Sequence, residues 1–275
     1  MFKKLALVAA LAAALGSAQA APTITNADGT FSFGGFDWAS TASVWVRDYD
    51  IVSGGTGRTG ETDIFTLNYQ AYAVNVQDAG GANLPLAGLK NTDIAGGYEY
   101  TINATITESV TCLNDNCSFV AINIVGGAWD VYYDTTGDAV LGAAGISGIL
   151  DGTNILSGVF TSGQTMLGPQ GANNPGNVTL AGTFEGAVTF TDTTFINPVL
   201  NGTEAVSTLQ FGSNTTAWTR PTSFDGLGAV GADTNTDFVG QADANQAFVE
   251  LPEPGSLALA GLALFAIGAA RRRRA

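Results

Sequence analysis

The residues able to do chemistry are few in kind and scattered along the chain. The 275 residues include no histidine, two cysteines and 24 acidic side chains. Without His, a Ser-His-Asp triad, a Cys-His pair, a histidine proton shuttle and His-ligated zinc or haem are excluded. Two cysteines are too few for a zinc site built from four. Cys112 and Cys117 bracket Leu-Asn-Asp-Asn, with no Lys, Arg or His beside them to lower a thiol pKa. They read as a structural disulfide closing a short loop rather than as a redox pair. Carboxylates recur in Asp48-Tyr49-Asp50, in Asp130 to Asp138 and in Asp233-Thr-Asn235-Thr-Asp237. Two carboxylates suffice for glycoside hydrolysis, but no pair here stands out by spacing, so no catalytic residue is assigned and the chain is not read as an enzyme. Asp233, Asn235 and Asp237 begin like a calcium loop. Phe238, however, stands where an EF-hand needs Gly, and Ala244 where it needs a bidentate Glu, which leaves a weak Ca2+ candidate and no other metal or cofactor. Phe31, Phe33, Phe36, Trp38, Trp45, Trp129 and Trp218 offer either a sugar-stacking platform or core packing, and core is the commoner use of such rings.

Charge narrows the partners. The net charge is −14, and only Arg47, Arg58, Lys90 and Arg220 lie between residues 21 and 250. So acidic a body repels phosphate backbones, and no nucleic-acid partner is expected. Hydrophobic residues make up 45% and charged residues 12%, enough apolar surface to bury a core.

The elements that must position these residues read as strands. Tyr98, Tyr100, Ile102, Ala104 and Ile106 alternate with Glu99, Thr101, Asn103, Thr105 and Thr107. Residues 178 to 190 repeat the pattern, and 43–49, 65–74, 119–125, 129–133 and 207–211 read likewise. Turn signals punctuate them at Gly54-Gly55, Gly80-Gly81, Gly96-Gly97, Gly126-Gly127, Asn174-Pro175-Gly176, Asn201-Gly202 and Asp225-Gly226. Apolar-in, polar-out antiparallel strands predict an all-β fold, an antiparallel β-sandwich of jelly-roll or Ig-like type, over a secreted domain of residues 21–250.

The two ends are addresses. Lys3 and Lys4, the apolar run Leu5 to Leu15 and Ala18-Gln19-Ala20 form a signal peptide over residues 1–20, with cleavage between Ala20 and Ala21. Residues 251–275 read Leu-Pro252-Glu253-Pro254, then an apolar run from Gly255 to Ala270, then Arg271, Arg272, Arg273 and Arg274. The run is about 24 Å long as a helix, and the arginines would stay cytoplasmic by the positive-inside rule. Pro252 and Pro254 keep the segment before it extended. Pro-Glu-Pro, a short transmembrane helix and an Arg cluster at the extreme C-terminus together resemble the PEP-CTERM sorting signal. The resemblance implies a Gram-negative, exopolysaccharide-making host and processing by exosortase. The chain would be anchored transiently in the inner membrane, then passed to the cell surface or extracellular matrix.

A second resemblance covers more of the body. Phe36-Asp37-Trp38-Ala39-Ser40, Tyr98-Glu99-Tyr100-Thr101-Ile102, Tyr132-Tyr133-Asp134-Thr135, Trp218-Thr219-Arg220-Pro221-Thr222 and Gln241 to Phe248 are similar to the flocculation-associated PEP-CTERM proteins. This implies a matrix protein supporting exopolysaccharide-linked aggregation, as in flocs and biofilm. A carbohydrate-binding module for exopolysaccharide is the alternative, and a carboxylate-based glycosidase a more distant one.

Overall fold

The computed structural model describes residues 21–51, 56–90, 97–167, 180–212, 218–234 and 236–249. The signal segment up to Ala20, the Pro252-Glu253-Pro254 motif, the apolar run and Arg271 to Arg274 lie outside the described residues, as do Gly54-Gly55, Gly96 and Asn174-Pro175-Gly176. Among the described residues there is no helix, and hence none long and apolar enough to cross a membrane.

Sixteen strands follow in order. They are β1 (Thr23–Asn26), β2 (Gly29–Ser32), β3 (Gly35–Trp38), β4 (Ala42–Arg47), β5 (Thr62–Gln77), β6 (Glu99–Cys112), β7 (Val120–Asp134) and β8 (Val140–Gly142). Then come β9 (Gly145–Ser147), β10 (Thr153–Leu167), β11 (Leu180–Thr191), β12 (Ile196–Asn197), β13 (Glu204–Phe211), β14 (Ser223–Phe224), β15 (Gly228–Ala229) and β16 (Phe238–Val249). The long strands are sequential antiparallel neighbours, β5-β6-β7-β10-β11-β13-β16. β16 then pairs with both β3 and β4, which pair with β5. β3 and β4 thus act as one strand broken at Ala39–Thr41, and the sheet closes on itself with eight positions.

The expectation of antiparallel β structure stands, and the two-sheet sandwich is corrected to one barrel-like closed sheet. The alternation of one apolar and one polar face is common to both architectures, so the pattern could not separate them. What separates them is β16, which pairs with β13 from Val249 to Ala242 and has β3 and β4 on its other edge. Among the described residues that leaves no long free edge to template further pairing.

The interior is mainly apolar, with Glu108 and Gln246 among the few polar side chains buried in it. On β6, Tyr100, Ile102, Ala104, Ile106, Val110 and Cys112 all point in and are buried. Trp38, Trp129, Phe36 and Phe248 pack across the lumen, with Phe36 stacked on Trp38 at 5.0 Å and Trp129 6.0 Å from Phe248. One void between the barrel residues, lined by Trp38, Tyr69, Ile106, Phe160 and Leu209 among others, is about 20 Å³, room for one water. Outward positions on β6 are Asn103, Thr105, Thr107, Ser109 and Thr111, the reverse of the alternation that a lipid-facing barrel wall needs.

Two outward residues depart from expectation. Glu99 and Thr101 are buried, because the segments around Ala139–Leu150 and Trp218–Val230 lie over that part of the wall. The resulting outer cluster holds Ile146, Ile149, Phe224 and Val239, with Trp45, Tyr72 and Trp218 half-buried against it. Gly126-Gly127, expected as a turn, lies inside β7 at a bulge, so residues 119–125 and 129–133 belong to one strand.

Candidate functional site

Both chain exits meet at one rim of the barrel. The Phe33 N–H donates to the Pro22 carbonyl at 2.8 Å, and the Phe248 N–H donates to the Gly34 carbonyl at 2.8 Å. Ala21, the expected first residue after cleavage, therefore stands two residues before β1, and β16 ends three residues before Pro252. The signal end and the sorting end leave from neighbouring residues.

The Cys112–Cys117 disulfide is formed, with Cα atoms 4.8 Å apart. It staples the tip of the β6–β7 hairpin at the opposite rim, where the Leu113 N–H donates to the Phe119 carbonyl. Glu61 lies beside the two sulfurs, but sulfurs bound to each other offer no thiolate to a metal.

The calcium candidate is already engaged. The Arg220 guanidinium grips Asp233, with Nε at 3.0 and 3.1 Å and Nη2 at 2.8 Å, and the Val239 N–H donates to the same carboxylate. Asp237 Oδ1 accepts the Asp48 N–H at 2.9 Å. Thr234 closes the turn by accepting the Asp237 N–H at 2.8 Å. Asn235 lies outside the described residues. A cation at Asp233 would have to displace a bidentate arginine.

A second acidic group, Glu99, Asp134 and Asp138, brings carboxylate oxygens within 4.8 Å of one another. It too carries its own cation. Lys90 is buried, with Nζ 3.9 Å from Glu99 Oε2 and donating to the Ala139 carbonyl at 3.2 Å. Glu99 also accepts the Asp138 and Ala139 N–H groups at 3.0 and 2.8 Å. Burial pushes the Glu99 carboxyl up, and the N–H donors and Lys90 pull against it.

Of the two uses open to the tryptophans, packing is the one found. Trp38 and Trp129 are 1% and 0% exposed inside the barrel. Trp45 packs 5.7 Å from Phe224 under the Arg47 guanidinium, and Trp218 Nε1 donates to Ser43 Oγ at 3.0 Å. Packing uses all four, as do the buried Phe33 and Phe36.

Two features escaped the sequence. The first is Glu108 on β6. It continues the inward alternation of Ile102, Ala104 and Ile106, so it faces the lumen between Phe65 on β5 and Ile124 on β7. It is 1% exposed, and neither carboxyl oxygen has a hydrogen-bond partner. Desolvation pushes its pKa to about 8. The period-two pattern runs on through Glu108, Val110 and Cys112, which was the available signal.

The second feature lies next to it. Pairing of β10 with β7 runs to Val159↔Ala128 and resumes at Gln164↔Asn123 in the same register. Between those points Ile124–Gly127 and Phe160–Gly163 are not paired with each other. A bulge on each far side, at Val125 against β6 and at Thr161 against β11, accompanies the parting. The wall opens into a groove of about 570 Å³ lined by Asn123, Ile124, Ser162, Gly163, Gln164, Thr183 and Glu185. Ser162 Oγ donates to Glu185 Oε2 at 2.6 Å. Gly163 lets Ile124 and Phe184 pack closely beneath the groove, since a Cβ there would lie 2.9 Å from both Ile124 Cγ1 and Phe184 Cδ1.

No curated protein and no solved structure matches the chain. A family match falls on the stretch that follows β16 in the sequence. A PEP-CTERM motif marks a chain for export and membrane passage before processing, with exosortase as the processing partner. Residues 250–274 match the PEP-CTERM protein-sorting motif, and the protein is thus a barrel-like β body carrying that signal at its C-terminus.

Proposed function

We propose that this chain is a non-catalytic surface or matrix protein that exosortase releases from the inner membrane, and that its body supports exopolysaccharide-linked cell aggregation. The observation that carries the reading is the sorting motif at residues 250–274, joined almost directly to the last strand of a closed, tightly filled barrel. Pro252, Glu253 and Pro254 are recognised, Gly255 to Ala270 holds them at the membrane face, and Arg271 to Arg274 fix the orientation. The body offers an acidic, hydroxyl-rich outer wall around a core of packed aromatic and aliphatic side chains.

The test is floc settling in a strain lacking the gene. Complementation uses the intact gene and a form with Pro252, Glu253 and Pro254 all changed to Ala. Settling should be restored by the intact form alone, with the triple-Ala chain retained in the membrane. Normal settling of the deletion strain would remove the aggregation role. A second reading, a carbohydrate-binding module, is favoured by the polar groove between β7 and β10. Glycosidase activity on host polysaccharide should be undetectable, and its detection would reverse the non-catalytic assignment.

A further inference from the structure

We propose that the opening between β7 and β10 is a binding site for one uncharged pyranose ring of a glycan. The inference rests on the reading that the body works among extracellular polysaccharides.

The shape argues for a ring. Because pairing resumes in the same register on both sides, the opening is a lens four residues long and closed at each end. An extended peptide needs a continuous free edge to add to a sheet, and this lens has none. Its volume of about 570 Å³ lies within the roughly 300–1,000 Å³ of small-ligand pockets.

The lining argues for a sugar. Asn123, Ser162, Gln164, Thr183 and Glu185 face outward around the rim and supply amide, hydroxyl and carboxylate groups. These are donors and acceptors suited to ring hydroxyls. Ile124 and the bare Cα of Gly163 form an apolar floor for a C–H face. The facing edges of Ile124–Gly127 and Phe160–Gly163 add main-chain N–H and C=O groups not spent on each other.

Charge argues for an uncharged sugar. No Lys or Arg lines the groove, and Glu185 repels a uronate. The four cations of the body are engaged elsewhere. Arg47 lies over Trp45, Arg58 pairs with Glu61, Lys90 sits beside Glu99 and Arg220 grips Asp233.

The experiment uses the full chain in detergent micelles and three probes: cellotetraose, chitotetraose and tetragalacturonate. Saturation-transfer NMR reports ring-proton contact, and calorimetry reports affinity. At least one of the uncharged tetrasaccharides should bind, and tetragalacturonate should not. The double variant Glu185→Ala/Gln164→Ala should weaken binding by roughly tenfold or more, since hydrogen bonds to a charged group are the stronger kind. Glu204→Ala, on β13 at the chain-exit rim, should bind as the parent does. Equal melting temperatures verify that the variants fold. Failure of both uncharged probes, preference for the uronate, or indifference to the double variant would overturn the proposal. Setting these binding results beside the settling of the deletion strain separates the two readings. If settling requires the gene but no sugar binds, the aggregation reading stands and the groove does not. If sugar binds while the deletion strain settles normally, the groove stands and the aggregation role does not.

Discussion

Glu108 should make the barrel lose stability as pH rises, in the range where most carboxylates are silent. Its carboxyl faces Phe65 and Ile124 across the neighbouring strands and has no hydrogen-bond partner. The ordinary value of 4.5 becomes about 8 in the folded chain. Between those two pH values the folded state keeps a proton that the unfolded state has released. Unfolding therefore becomes easier by about 1.4 kcal/mol for each pH unit, up to a total of about 5 kcal/mol. The contribution is complete below pH 4.5 and is lost as pH rises through about 8. The assay is urea unfolding from pH 5 to 8.5 for the parent chain, Glu108→Gln and Glu108→Leu. Glu99, Asp151 and Asp243 are also pushed up by burial, and they impose a background slope on all three proteins. The difference between parent and variant isolates Glu108. The parent should lose several kcal/mol relative to either variant across this range, and Glu108→Leu should be the most stable at pH 8 because it buries no polar atom. Parallel curves for all three proteins would refute the reasoning.

Four further outcomes follow from the packing and from the Arg220–Asp233 pair. Gly158→Ala should destabilise by about 2 kcal/mol or more, because its Cβ would lie 2.1 Å from Trp129 Cζ2 and 2.6 Å from the Ala187 carbonyl. Gly126→Ala, whose Cβ meets nothing within 4 Å, should be near neutral in the same urea titration. Replacing Cys112 and Cys117 by Ala should cost about 2 kcal/mol, as expected for a six-residue loop, and leave the rest of the barrel's amide exchange protected. Millimolar calcium against EDTA should leave the melting temperature unchanged, since Arg220 already occupies Asp233; a clear rise in calcium would refute that account.

Much of the barrel was legible where the alternation was unbroken. Tyr98 to Ile106 announces β6, and Phe65 to Val74 announces most of β5. β10 escaped because register shifts against β7 near Asn154/Leu156 and against β11 near Ser157/Gly158 and Phe160/Ser162 throw its inward residues out of period. The last of these shifts, at Phe160/Ser162, also flanks the groove, so one irregularity that hid the strand also hid the site. Closure was illegible for a different reason. A period of two states which face is buried, not whether the buried faces meet as two sheets or one. The sorting signal was readable because it is linear: its three parts act in sequence order and need no fold to bring them together.

The shared rim of the two chain exits has a mechanical consequence. A load applied where the body ends, at Val249, reaches β16 first. A pull directed along the strand's own axis would load both of its edges at once. β16 is flanked on one side by β13, paired from Glu204↔Val249 to Phe211↔Ala242, and on the other by β3 and β4. The backbone hydrogen bonds on both edges lie across that axis, so they resist together in shear rather than opening one at a time. The strand that closes the barrel is thus also the strand best placed to bear a tether.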